Sequence, residues 1–349
     1  MNMTKLTLAA GFTLAAMGVV QAQDQWWPFA VQQVVDGQIS EMDYVPLEQA
    51  EKKWNICVLF PHMKDSLWVA AAYGIIEEGK RLGVKVTILE AGGYDQLPRQ
   101  ISQWDDCVAS GADAVVTGVI SEAGMAAKFA EGMARNIPQV SFINAVIDAP
   151  LTGRIRSEFD AIGKASGDYL VANEGDVAHK ILMFPGPQSS GWAELYSQGF
   201  RESVADSGFE ILDEKYGDTG VSVQLALVED SLQTYPEATL IWGTAPTVEA
   251  AIQAVDEAGR TDEIQIVGSY ENQEMLDATT RGDILGFASQ YVVVQARIGM
   301  DLAVRALEGK DLSGDLRIVP VFVTADSLKD INLADMLAPE GWRPVYSID

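Results

Sequence analysis

Cysteine and histidine are nearly missing from this 349-residue sequence, which has two of each: Cys57 and Cys107, His62 and His179. Two cysteines exclude a disulfide scaffold, and their spacing excludes a C-x-x-C redox or zinc motif. The histidines stand too far apart in the expected element order to suggest a metal pair. Basic residues are short as well, 24 Lys and Arg against 50 Asp and Glu, for a net charge of -26. Such a chain repels nucleic acid and anionic lipid surfaces, which opposes a DNA-binding role. After the N-terminal stretch no run approaches the length of a membrane span, so no direct membrane insertion is expected. The G-x-S-x-G elbow, the phosphate loop, the H-E-x-x-H helix and the spaced G-x-G-x-x-G are also absent, and Gly163-Lys164 lacks the leading glycine and the following hydroxyl of a phosphate loop. No nucleophilic or metal site can be assembled, so the expectation is a binding protein and not an enzyme, with no cofactor. A secreted hydrolase would need a nucleophile and a base that the sequence does not offer.

What is present begins with a leader. Lys5 supplies a positive start, residues 6–20 are apolar or small, and Val20-Gln21-Ala22 is a small-residue cleavage site. Residues 1–22 therefore read as a cleaved signal peptide, which places the mature protein in the periplasm. No cysteine stands directly after the cleavage site, which argues against a lipid anchor. The full sequence is 48% hydrophobic and 21% charged, an ordinary globular composition whose length suits two lobes.

The stretch 54–94 sets the pattern for the rest. Residues 56–60 are apolar throughout, as a strand buried on both faces of a parallel sheet must be. Asp65 stands at a helix cap, Ala72, Ile75, Ile76, Gly79 and Leu82 recur at helical spacing, and Gly83 closes the helix. A second strand over 84–89 completes a strand, helix, strand unit, the opening of a doubly wound α/β sheet that binds ligands beyond the carboxyl ends of its strands.

The rhythm continues with strands over 113–117 and 139–144 and helices over 96–109 and 121–134. A strand over 154–156 leads to a helix over 159–171 and a second lobe. Its strands are expected over 180–184, 209–214, 239–242 and 264–268, and its helices over 191–206, 221–232, 245–258 and 272–280. A strand over 285–289, a helix over 292–307 and one last strand over 317–323 follow. The expected fold is α/β, two doubly wound parallel-sheet lobes joined by hinge crossings. Residues 52–157 with 291–318 form an N-terminal lobe and 158–290 with 319–330 a C-terminal lobe. An N-terminal extension at 23–51 and a tail at 331–349 stand outside them. A right-handed crossover would carry the helix with Cys107 back over the strand with Cys57. Two readings stand for the pair, buried thiols or a disulfide in an oxidising compartment.

This rhythm resembles the type I periplasmic binding proteins of the ribose-binding kind over residues 54 to about 323. Leu59-Phe-Pro-His-Met-Lys-Asp-Ser-Leu-Trp68, Glu90-Ala-Gly-Gly-Tyr94 and Phe184-Pro-Gly-Pro187 are similar to the branch that senses trimethylamine N-oxide for bacterial respiration. That resemblance implies a small-molecule ligand, trimethylamine N-oxide or a similar trimethylammonium compound. It also implies a partner, the periplasmic domain of a membrane sensor histidine kinase, in two-component regulation of anaerobic respiration. The alternative is a periplasmic solute- or sugar-binding protein of an ABC transporter. Placed on the ribose-binding pattern, Asp65 and Trp68 fall in the first loop, Asn144 at the end of strand four, Tyr270 at a second-lobe strand end and Gln290 at the return crossing. Tyr94 follows two glycines that let its loop turn sharply, and Trp192 opens a second-lobe helix. The chain departs from the sugar pattern at Ala145, where an arginine is usual, and at Tyr270, where an aspartate is.

These residue types suit a trimethylated nitrogen, whose charge spreads over methyl groups that prefer ring faces, each worth roughly 0.5 to 2 kcal/mol. Each candidate also has a plainer reading: a cap for Asp65, a core ring for Trp68, a loop anchor for Tyr94. Trp26-Trp27-Pro28-Phe29 is too apolar for a free tail; it packs on its own lobe or beside the surface that engages the kinase.

Overall fold

The computed structural model describes residues 25–349 apart from 145, 176, 189 and 313. The leader at 1–22 and the departure at Ala145 lie outside the described residues. The chain opens with β1 (Phe29–Val35), β2 (Gln38–Tyr44), β3 (Asn55–Phe60), α1 (Ser66–Leu82), β4 (Lys85–Glu90), α2 (Leu97–Ala109), β5 (Ala114–Thr117), α3 (Glu122–Ala134), β6 (Gln139–Ile143) and β7 (Gly153–Arg156). Then come α4 (Phe159–Glu174), β8 (Lys180–Phe184), α5 (Trp192–Val204), β9 (Glu210–Glu214), α6 (Val221–Thr234), β10 (Leu240–Gly243), α7 (Ala245–Glu257), β11 (Gln265–Gly268), α8 (Gln273–Arg281) and β12 (Gly286–Ser289). The chain closes with α9 (Val292–Leu307), β13 (Asp315–Arg317), β14 (Val321–Val323) and β15 (Ser347–Ile348).

Two sheets result, one per lobe, with strand orders β15-β4-β3-β5-β6-β7-β13-β1-β2 and β14-β12-β11-β10-β8-β9. In the first, β4, β3, β5, β6, β7 and β13 run parallel, and β15, β1 and β2 pair antiparallel at the flanks. In the second only β14 is antiparallel. The doubly wound two-lobe architecture is the expected one. Its central strands are apolar because helices cover both faces: every residue from Ile56 to Phe60 is buried.

Three features differ from or extend the sequence reading. Residues 29–44 are a hairpin joined to the first sheet through β13. Its turn is Asp36-Gly37, both at positive φ (51° and 77°), the Asp-Gly pair that suits a two-residue turn. The single strand expected over 317–323 is two strands in different sheets, β13 beside β7 and β14 beside β12. Pro320, which has no N–H to donate, stands at the break. The tail also returns to the first sheet, where β15 pairs with β4. Cys57 and Cys107 form a disulfide with Cα atoms 5.8 Å apart.

The apolar N-terminal segment packs on its own lobe. Trp26 is buried, stacks on Tyr44 and donates its indole N–H to Glu78 Oε2 at 3.0 Å. Glu78 also meets Arg81 and Arg297, while the Tyr44 hydroxyl, the Leu47 N–H and Arg305 all converge on Asp301 of α9. The segment is thus bonded to α1 and α9, with Trp26 and Val31 buried and Trp27 and Phe29 half-buried.

In the second lobe α4 and α5 meet through glycines. A Cβ on Gly163 would lie 1.9 Å from the Tyr196 carbonyl oxygen, and one on Gly199 would lie 1.8 Å from that of Asp160. Backbone cannot yield as a side-chain end can, so Gly199→Ala should cost at least the ~1–3 kcal/mol of an overpacked core. Gly208→Ala, with nothing within 4 Å of the added carbon, is the control. Urea unfolding of the two variants decides, and equal stability would show that the helices slide apart freely.

Candidate ligand site

The loops at the carboxyl ends of the strands meet between the lobes. β3 is followed by Asp65 and Trp68, β4 by Tyr94, β6 by Asn144, β8 by Trp192, β11 by Tyr270 and β12 by Gln290. All seven sequence-predicted residues line one cavity, together with His62, Leu67, Ile143, Tyr196 and Thr219. The space is small, about 30 Å³ as swept by the centre of a water molecule. That leaves room for a compact ligand of a handful of heavy atoms. Two wider openings flank it, one sharing Asn144 and Trp192 and the other Tyr94.

Local sequence explains the placements. Asp65 is extended (φ -104°, ψ 134°) and accepts from the Leu67 N–H at 3.0 Å, so it caps α1 and points Trp68 inward one turn later. Trp68 fits because position 118 has no side chain: a Cβ there would lie 2.8 Å from the indole. Trp68 is therefore both lining and core, in contact with Phe60 and Phe142. Gly92 takes a positive φ of 100° and both Gly92 and Gly93 donate to the Pro61 carbonyl, the sharp turn that presents Tyr94.

Asp65 also spans the lobes. Its Oδ2 accepts from the Tyr270 hydroxyl at 2.6 Å and its Oδ1 from Asn272 Nδ2 at 3.3 Å. Beside it Ser66 donates to Glu274 and accepts from the Gln273 N–H. Burial pushes the Asp65 carboxyl above the usual carboxylate range, against the pull of these hydrogen bonds. The Tyr270 phenol is held well above its ordinary value by burial and by the Asp65 charge. Behind the wall, Glu271 is fully buried and receives the N–H groups of Gln290 and Val292 at the start of α9; burial raises it to about 7.

The amides of the two supporting candidates are committed to protein. Asn144 Nδ2 donates to the Val119 carbonyl at 2.7 Å and to the Tyr94 hydroxyl at 3.2 Å. Gln290 Nε2 reaches the Tyr196 hydroxyl at 3.5 Å, and its Oε1 accepts from Gln295. Rings make up the rest of the wall. Trp192 touches Tyr94, Tyr196 and Tyr270 at centroid distances of 5.9, 5.3 and 6.4 Å.

Tyr196, His62 and Thr219 were missed by the sequence reading. Tyr196 follows Trp192 by four residues and so shares its helix face, a signal that was there to use. His62 lies in the first loop beside Asp65 and was considered only as a metal ligand. Thr219 sits in a loop with no periodicity to mark it.

Residues 56–311 match the model of the periplasmic binding protein domain. Over 305 residues the chain is 31% identical to the periplasmic protein TorT of Escherichia coli O157:H7, covering 86% of each chain. Among solved structures it is similar to an ABC transporter solute-binding protein from Bradyrhizobium sp. BTAi1 with bound bis-tris. That match has 38% identity and a TM-score of 0.82, covering 92% of this chain and 99% of the other. It is also similar to the complex of the TorS sensor domain with TorT in the presence of trimethylamine N-oxide, at 25% identity and a TM-score of 0.78, covering 84% of this chain and 100% of the other.

His62 supplies a pH prediction. Burial, aided by Lys64, lowers it from 6.5 to about 4, so in this range the unfolded chain takes up a proton before the folded one does. Its contribution is intact above pH 6.5 and is lost as pH falls toward 4, by about 3 kcal/mol in all. Glu271, raised by burial, works in the opposite sense between its unfolded value and about 7. The comparison is therefore a difference between wild type and His62→Gln, by urea unfolding at about pH 7.5 and about pH 4.5. The variant should lose less stability on acidification; an equal loss would mean that His62 protonates freely in the folded state.

Proposed function

The chain belongs to the periplasmic binding protein family, and from that membership we propose that it is a periplasmic ligand-binding sensor for trimethylamine N-oxide or a similar small trimethylammonium compound. It binds without turnover and signals through the periplasmic domain of a TorS-like sensor histidine kinase. The observation that carries this reading is the make-up of the cavity: five aromatic residues, Trp68, Tyr94, Trp192, Tyr196 and Tyr270, around one buried carboxylate, with no lysine or arginine among the lining residues. Methylated nitrogen finds ring faces worth roughly 0.5 to 2 kcal/mol each and a counter-charge in Asp65. A sugar would need a ring of charged and amide partners, and here the amides are already bonded within the protein.

A second reading, solute delivery to an ABC transporter, is favoured by the 38% identity to the Bradyrhizobium protein. Its bound bis-tris is itself a tertiary amine, so both readings agree on the ligand's nitrogen and differ in the partner.

Calorimetric titration with trimethylamine N-oxide, betaine, choline and ribose tests the ligand. Trimethylamine N-oxide should bind and ribose should not, and the reverse result overturns the proposal. Asp65→Asn keeps an oxygen for the cap but removes the charge, and should weaken binding about tenfold, or ~1.4 kcal/mol. Co-elution with a TorS-type sensor domain tests the partner; its failure with ligand binding intact leaves the transporter reading.

A further inference from the structure

Ring faces and a carboxylate suit a cation, yet the same cavity also holds donors that the protein leaves unused. The Lys64 N–H donates to His62 Nδ1 at 3.3 Å, so the neutral ring carries its hydrogen on Nε2. That atom is buried and has no partner among the described residues. Trp192 Nε1 can only donate, and it too is buried without a partner among the described residues. The Tyr94 hydroxyl accepts from Asn144 at 3.2 Å, and its own hydrogen is not given to any acceptor among the described residues.

These three residues are neighbours: ring centroids lie 5.3 Å apart for His62 and Tyr94 and 5.9 Å for Tyr94 and Trp192. The Tyr270 hydroxyl is not available, since it donates to the Asp65 carboxylate. Buried donors without acceptors are costly, and folded proteins keep few of them. Two such donors, with the Tyr94 hydroxyl between their rings, among the residues lining one ligand cavity therefore point to an acceptor that arrives with the ligand.

We infer that His62, Tyr94 and Trp192 form an oxygen-receiving pole and Asp65 with Tyr270 the pole for positive nitrogen. The site is then selective for a compact dipolar amine oxide over a quaternary ammonium ion of the same size. This rests on the trimethylammonium reading and narrows it: His62 and Trp192 become specificity-determining residues.

The test is calorimetry with trimethylamine N-oxide and with tetramethylammonium, which replaces the oxygen by a methyl group. Wild type should prefer the oxide by at least about tenfold, because a methyl group would leave the donors unpaired. Trp192→Phe and His62→Phe, each keeping a ring but losing the donor, should each weaken oxide binding by about tenfold, the loss of one hydrogen bond, and change tetramethylammonium binding little. The wild-type pair needs no variant to fold, and equal affinity for the two ligands overturns the oxygen pole while leaving the trimethylammonium reading in place. Variants that weaken both ligands alike overturn the specificity roles. If wild type binds neither ligand, both the inference and the reading beneath it fall.

Discussion

The two oxygens of the Asp65 carboxylate hold donors from both lobes: the Leu67 N–H at the start of α1, the Tyr270 hydroxyl and the Asn272 amide. Asn272 is itself the cap of α8, accepting from the Met275 N–H at 2.9 Å. Two helix N-termini thus face one buried charge, and their partial positive ends help to hold it there. Much else in the cleft follows from that contact. It starts α1 at the residue that turns Trp68 inward, and it draws the end of β11 against the first lobe. It also fixes the Tyr270 proton, so that this phenol cannot serve another acceptor. A carboxylate this enclosed binds a proton more readily than an exposed one, and a cation in the cavity would meet the same demand for positive charge.

Around this contact the first lobe is unusually well tied. Buried polar groups of Glu78 and Asp301 bond the N-terminal segment to α1 and α9, and Trp342 of the tail packs edge-on against Tyr73 of α1. Removing one member of such a network leaves its partners buried and unpaired, which is why these contacts hold their segments firmly. The chain passes between the lobes at β7 to α4, β12 to α9 and β13 to β14. At the second of these Tyr291 adopts a left-handed φ of 58°, and Glu271 holds the N–H groups on either side of it.

The fold was legible because its central strands are parallel and covered on both sides. Runs such as 56–60 and 181–184 are then continuous in apolar residues, and the helices between them keep a 3.6-residue period. The cavity was legible for a related reason. In a doubly wound sheet the strand ends converge, so a polar or aromatic residue just past each strand is a candidate before any distance is known. The hairpin at 29–44 escaped because its strands mix polar and apolar residues, burying little beyond Val31 and Tyr44, although Asp36-Gly37 marked the turn. The split of the last strand escaped because Ile318 and Val319 continue its apolar character; only Pro320 signalled the break. His62 and Trp192 could be named, but not their missing acceptors, since an unpaired donor is a property of three-dimensional surroundings.

The first sheet carries a consequence for how the chain reaches its native state. Its pairs join residues far apart in sequence: Gln32 with Arg317, Arg154 with Asp315, Thr87 with Ser347. The second sheet is drawn from 180–289 plus the short β14. Loop closure of that length is slow relative to local pairing. The second lobe can therefore become ordered while the first is still open along both flanks, and the first closes only when the last residues arrive. An unfinished molecule would expose the edges of β4 and β7, where β15 and β13 belong. Premature termination near the C-terminus would thus unmask the larger lobe rather than trim it.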